Sequence, residues 1–120
     1  MKSEPAAEPA PQPGTPVRGS VTGRPLMAAL DLFGRRWVLR ILWELQGGPL
    51  GFRPLQRSCD GMSSSVLWQR LAELEQVALI QRVEDGRYSL TPLGHDLNRA
   101  IMPLQTWSVR WASALGEGPR

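Results

Sequence analysis

Residues 60–75 read Asp-Gly-Met-Ser-Ser-Ser-Val-Leu-Trp-Gln-Arg-Leu-Ala-Glu-Leu-Glu, and their pattern decides the fold. Asp60 and Gly61 make a tight turn, in which glycine supplies the positive backbone angle that a short helix-to-helix connection often requires. Ser63 then stands where a helix N-cap accepts a hydrogen bond from a free backbone N–H, leaving Ser64 and Ser65 in the first turn. On a wheel of about 100° per residue, Leu71 and Leu74 fall within about 40° of Leu67, and the three form the inner side. Ser65, Trp68, Gln69 and Ala72 occupy the other side. Such a helix is suited to lie against something other than its own core.

Outward from this helix, the elements fall in a defined order. Toward the N-terminus, Pro25 opens a first short helix carrying Leu26, Met27, Leu30, Leu32 and Phe33, and Gly34 closes it. A second helix is predicted from about residue 36 to 45, where Trp37, Ile41 and Leu45 recur every four residues until Gly47, Gly48 and Pro49 stop it. Leu50 to Phe52 reads as extended, and a third helix follows with Pro54 in its first turn, Leu55 as its inward anchor and its end near Ser58. Beyond the serine-led helix the period becomes alternating, with residues 79–83 and 87–90 flanking Glu84-Asp85-Gly86 as a hairpin. Thr91 caps a last helix with Pro92 at its first position. That helix runs toward Leu115, and Pro103 should bend or divide it. Helix, helix, short strand, helix, turn, helix, hairpin, helix is the order of a winged helix-turn-helix domain, mainly α with a small β-hairpin.

The 120 residues have room for one domain, placed at residues 24–115. Residues 1–23 are rich in Pro, Ala, Glu, Gly and Ser with few large apolar side chains, and read as a disordered tail; residues 116–120 read as a C-terminal tail. Hydrophobic residues are 42% and charged residues 21%, a globular composition. No apolar run approaches the roughly 20 residues needed to cross a bilayer, and the N-terminus lacks a secretory pattern, so a cytoplasmic address without membrane partners is expected. Cys59 is the single cysteine, which excludes an intramolecular disulfide and Cys-rich zinc sites.

Formal net charge is +3, and of 14 cationic residues only Lys2 is a lysine. Arginine pairs bidentately with phosphates and guanine edges, which lysine cannot do. The balance is mild, since 11 acids offset most of the arginines, and it is the serine-led helix that makes double-stranded DNA the expected partner. The base-reading helix would present Ser63, Ser64, Ser65, Trp68, Gln69 and Arg70; Gln69 suits adenine, and Arg70 suits guanine or phosphate. Trp68 on the outer part of this helix would stack on a thymine methyl or sugar, or cap the hydrophobic turn. Arg36, Arg53, Arg82 and Arg87 are candidates for phosphate or wing contacts, with Arg35 and Arg57 near them. In the wing only Arg82 and Arg87 suit DNA, because Glu84 and Asp85 repel phosphate.

The last helix carries a stripe of Leu93, Leu97, Ile101, Leu104, Trp107, Trp111 and Leu115, more apolar surface than a small domain can cover by itself. Leu26 and Leu30 of the first helix, with Leu97, Ile101, Leu104, Trp107 and Trp111, are the predicted homodimer interface. Trp37 and Trp43 are assigned to the core. An enzyme is not expected: His95 is the sole histidine, and no catalytic triad order, phosphate loop or metal-ligand cluster is present. No cofactor and no metal are implied, and a small-molecule effector between subunits is left open. The rival reading is a winged-helix protein-interaction module without DNA binding.

The stretches Leu30-Asp31-Leu32-Phe33-Gly34-Arg35-Arg36-Trp37, Ile41-Leu42, Glu44-Leu45, Gly48-Pro49, Phe52 and Leu55 resemble the HxlR-type winged-helix transcriptional regulators. The resemblance continues through Met62-Ser63, Val66-Leu67, Gln69-Arg70-Leu71, Glu73-Leu74-Glu75 and Tyr88-Ser89-Leu90-Thr91-Pro92-Leu93-Gly94. It spans about residues 25–111. It implies a dimeric bacterial DNA-binding regulator related in fold to the MarR group, dimerising through its first and last helices. Two departures accompany it. Arg24 stands where many relatives carry a cysteine before the proline, so a thiol switch at that place does not transfer; Cys59 falls instead in the turn, where the family tends to have an apolar residue, which implies a small buried hydrophobe. The wing is also shorter than is usual in the family.

Overall fold

The structure, a computed structural model, describes residues 9–116. Among these residues the chain forms α1 (Pro25–Phe33), α2 (Val38–Glu44), a 3-10 turn (Leu45–Gly47), α3 (Phe52–Ser58), α4 (Ser64–Gln76), β1 (Ile80–Arg82), β2 (Tyr88–Leu90) and α5 (Pro92–Ala114). The element order expected from the sequence is the one observed.

Each boundary has a local cause. Pro25 begins α1, where its missing N–H breaks no helical bond. Helix α2 starts at Val38, later than expected, because Trp37 has φ +77°, a left-handed conformation that a helix cannot include. Ser63 caps α4 by accepting from the Val66 N–H, and Thr91 caps α5 by accepting from the Gly94 N–H. Of the stretch read as extended, Leu50 and Gly51 are so. Leu50 exchanges backbone hydrogen bonds with Tyr88 at 2.9 and 2.8 Å and widens the hairpin by one bridge, whereas Phe52 already belongs to α3.

The two strands pair antiparallel in the register Ile80↔Leu90, Gln81↔Ser89 and Arg82↔Tyr88. Gly86 turns the tip with φ +85°. The core gathers Val38, Ile41 and Leu42 of α2, Leu55 of α3, Leu67, Leu71 and Leu74 of α4, and Ile80, Tyr88 and Leu90 of the hairpin. The three α4 leucines have no exposed surface, and each such side chain stabilises the fold by about 2 kcal/mol. Cys59 is buried beside them, as the family resemblance implied.

Helix α5 is not divided at Pro103; it continues for 23 residues. The proline is exposed there, so the backbone carbonyl it leaves without a helical partner can be hydrated. Its N-terminal part packs on α2 and β2, while Met102, Leu104, Trp107, Val109, Trp111 and Leu115 are exposed. Leu26 and Leu30 of α1 are exposed as well. Trp43 departs from its assignment to the core. It is exposed and borders a groove with Leu39, Ile101 and Leu104, because the α2 face it occupies looks toward α5 and not toward α4.

Residues 1–8 of the expected tail lie outside the described residues. Residues 9–23 lie against the domain, where composition alone reads as disorder. Ala10 and Pro11 are buried, and the Ala10 N–H donates to Gln76 Oε1 at 3.1 Å. Small side chains pack there without much loss of rotamer freedom, and glycines at positive φ permit the turns. Of the expected C-terminal tail, only Gly116 is among the described residues.

Candidate nucleic-acid interface

The turn ahead of α4 is held from two sides. Asp60 and Gly61 have φ of +60° and +69°, which reverses the chain within a few residues. Gln56 of α3 donates through Nε2 to Met62 O at 2.8 Å and to Ser64 Oγ at 3.0 Å, joining the two helices across the turn. From the opposite side Arg40 donates to Ser58 O at 2.6 Å and pairs with Glu44 and Asp60. Sequence reading missed both: the i,i+4 spacing of Arg40 and Glu44 was the available signal, and the other partners are backbone oxygens, a loop carboxylate and a hydroxyl across the turn.

Ser63, Ser64 and Ser65 are exposed at the start of α4. Ser63 Oγ lies 3.2 Å from Ser65 Oγ, so the cap and the first turn share a hydroxyl pair. Gln69, half-buried, and Ala72, exposed, continue the ridge from Ser65 at intervals of four and three residues. The ridge therefore stands away from the buried face of Leu67, Leu71 and Leu74.

Arg70 departs from its expected role at base edges. Its Nε donates to Arg36 O at 2.7 Å and its Nη1 to Glu73 Oε1 at 3.0 Å, so the guanidinium is turned toward the α1–α2 connection. The cause is Glu73, a carboxylate with no exposed surface that also accepts from Arg35 Nη1 at 2.6 Å. A buried carboxylate requires such partners, and the two arginines supply them. Sequence reading missed Glu73 because a glutamate on a helix is usually solvated; the basic residue three positions before it was the available signal.

Trp68 also departs from an outward, base-stacking role. Its ring stacks on Phe52 of α3 with centroids 4.6 Å apart, capping the hydrophobic turn. Arg82 of β1 spans the helix and the wing, its guanidinium 5.6 Å from the Trp68 ring and 4.8 Å from that of Tyr88, with Glu75 at 4.0 Å. Arg87 is committed within the wing tip, its Nε 2.7 Å from Asp85 Oδ2. The Arg87 backbone N–H, followed by the guanidinium, holds the Asp85 carboxyl below its ordinary range. Arg36 and Arg53 are exposed, each beside an aromatic ring, Trp37 and Phe52 respectively, and Arg57 is exposed on α3. The structure thus brings Ser63, Ser64, Ser65, Gln69, Arg53 and Arg82 to the surface around α4, and it turns Arg70, Trp68 and Arg87 to internal partners.

A helix-turn-helix with its second helix exposed at the N-terminal end, followed by a hairpin, matches the HxlR-like helix-turn-helix family over residues 32–115. The chain belongs to the HxlR family. It is a DNA-binding transcriptional regulator with a winged helix-turn-helix fold, as the sequence resemblance implied. Among its relatives, the HTH-type transcriptional regulator YodB of Bacillus subtilis is 30% identical over 87 residues, 68% of this chain and 78% of YodB. The solved structure of quinone-bound YodB superposes with a TM-score of 0.65 at 31% identity, covering 69% of this chain and 92% of that one. A regulator from Enterococcus faecalis V583 assigned to the MarR family gives a TM-score of 0.67 at 29% identity, covering 82% and 97%. Among the described residues of this HxlR-family chain no helix is long and apolar enough to cross a membrane, and no group of ligating side chains could hold a metal ion.

Proposed function

We propose that the protein binds a short near-palindromic operator as a homodimer, each protomer placing α4 in the major groove. The observation that carries this reading is the division of α4: Leu67, Leu71 and Leu74 are buried, while Ser63, Ser64, Ser65 and Gln69 lie along its free side. In this arrangement Ser64, Ser65 and Gln69 meet base edges, and Ser63 holds the helix end. Arg36, Arg53 and Arg82 meet phosphates. Trp68 and Arg70 act from behind, fixing the helix against α3 and against the α1–α2 connection.

The dimer would form through α1 and α5. Leu26, Leu30, Leu104, Trp107 and Trp111 are exposed, and Leu97 and Ile101 half-buried, on surfaces that few residues of their own chain cover. A two-fold pair would set its recognition helices about 34 Å apart, one turn of duplex. The protein then works in the cytoplasm, on the nucleoid when bound. YodB, in its quinone-bound structure, is a relative that takes a small molecule. An effector of this chain would find an apolar recess of about 580 Å³ between α1, the end of α4 and the start of α5.

Selection of genomic fragments with the purified protein tests the proposal. An enriched near-palindrome, bound less tightly as salt rises, supports it. Failure to enrich any site at moderate salt overturns it. Ser65→Ala with Gln69→Ala should abolish operator preference in a regulator, whereas an interaction module would keep its protein partner.

A further inference from the structure

The stretch of chain before the family match carries a positively charged apex beside the recognition helix. Val17 and Ser20 exchange backbone hydrogen bonds at 2.9 and 3.0 Å, closing a two-residue turn over Arg18 and Gly19, with Gly19 at φ +85°. Arg18 is exposed on that turn, and its backbone N–H donates to Asp31 Oδ2 of α1 at 3.0 Å. The segment is tied down elsewhere as well. Gly14 N–H donates to Gly23 O at 2.9 Å, Ala10 N–H donates to Gln76 at the end of α4, and the Arg35 guanidinium donates to Pro9 O at 3.4 Å. The turn is therefore anchored to α1 and α4 by backbone groups, and the Arg18 side chain is not used in holding it.

Arg18 lines one polar recess of about 270 Å³ together with Asp31, Gly34, Arg35, Gln69 and Arg70. Gln69 belongs to the outward ridge of α4, so the recess opens at the edge of the surface that faces DNA. Its charge is positive: Arg35 and Arg70 share the single carboxylate of Glu73, and Arg18 offsets Asp31. Arg36, exposed on the α1–α2 connection, adds a further positive charge whose backbone oxygen is held by Arg70.

We propose that residues 9–23 form an accessory DNA-binding arm in which Arg18 contacts a backbone phosphate on the α1 side of the recognition helix, opposite the wing. The inference rests on the reading that α4 enters the groove. A helix in the major groove is flanked by a phosphate strand on either side. Arg53 and Arg82 serve the side of α3 and the wing, and Arg18 with Arg36 serves the other. A phosphate contact carries no base information, so it strengthens binding to any duplex.

That sequence independence supplies the test. Binding of the full chain to a short mixed-sequence duplex is measured by fluorescence anisotropy across a salt series, for the wild type, Arg18→Ala and Arg18→Lys. Loss of one phosphate contact should lower the slope of log affinity against log salt by about 0.9 per bound protomer. Affinity at moderate salt should fall roughly fivefold. Arg18→Lys should restore the slope, and the unfolding midpoint should be the same in all three, because the anchor is the backbone of residue 18. An unchanged slope and affinity in Arg18→Ala, with the wild type binding normally, would overturn the arm and leave the proposed operator binding standing. A wild type that binds no duplex at low salt would overturn both, while fragment selection alone tests base reading.

Discussion

Arg35, on the connection after α1, donates at 2.6 Å to Glu73, a side chain on the recognition helix 38 positions away that has no exposed surface. Together with Arg70 it makes the carboxylate the point at which α4 is fastened to the α1–α2 connection. Replacing Glu73 by Gln keeps the volume but leaves two guanidinium groups without their counter-charge. We expect a loss of about 3 kcal/mol in urea unfolding, the scale of breaking a buried ion pair from one side. A variant as stable as the wild type would show that the two arginines find water instead.

Gly94 lies in the first turn of α5, where the helix passes over the backbone of Leu79. A Cβ built on it overlaps the Leu79 carbonyl oxygen and sits 3.2 Å from Leu90 Cδ2. Helix propensity favours alanine over glycine by about 1 kcal/mol, so the sign of the change separates the two effects. Gly94→Ala should destabilise by roughly 2 kcal/mol, since the nearest atom, the Leu79 carbonyl oxygen, is backbone and cannot turn aside. Thermal unfolding of the single variant decides this, and a raised midpoint would show that α5 shifts freely.

Burial pushes the Cys59 thiol from 9.0 up to about 11, with Glu44 and Asp60 adding to the rise and Arg40 opposing it. The folded pKa exceeds the unfolded one, so the contribution to stability is fully present below pH 9 and is lost as pH climbs toward 11. The loss should be on the order of 2 kcal/mol. In Cys59→Ala this alkaline component disappears, so the stability difference between wild type and variant should narrow over that interval. A maleimide should also label the folded protein slowly at neutral pH and rapidly once it is unfolded. Fast labelling of the native chain would contradict the burial.

Trp107 and Trp111 stack with centroids 5.5 Å apart on the free surface of α5, and both are about half exposed. If α1 and α5 form the two-fold interface, Trp107→Ala combined with Trp111→Ala should move the sedimentation coefficient from dimer to monomer. Far-ultraviolet circular dichroism should change little. Operator affinity should fall toward that of a single half-site, because the two contacts are then no longer linked. A variant that still sediments as a dimer would place the interface elsewhere.

The order of elements was legible because it is written locally. The switch from fourfold to twofold apolar spacing after residue 78, the serine at the start of α4 and the Thr91-Pro92 pair each act within a few residues. Cys59 was read as buried from the family resemblance, and it is. Side-chain roles on α4 were less legible. Arg70 was expected at base edges although on a wheel it falls only about 40° from Leu74, and Trp68 was placed on the outer part of the helix; one reaches the Arg36 carbonyl and the other lies on Phe52. A wheel gives the direction of Cβ but not where a long side chain ends. Trp43 lies about 140° from Val38 on a wheel, away from the buried Val38, Ile41 and Leu42, and its neighbour on that side, α5, leaves it uncovered.

By itself the sequence determined the winged helix-turn-helix order, the capped recognition helix and the apolar stripe of α5, since spacing, caps and turn residues are properties of neighbouring positions. Tertiary structure alone decided that Glu73 is buried between Arg35 and Arg70, that Gln56 and Arg40 hold the turn, and that Arg18 stands beside Gln69. Except for Arg70 and Glu73, which share α4, those partners lie on different elements. Hydrogen bonds and charge pairs between them exist only after packing has brought the helices together.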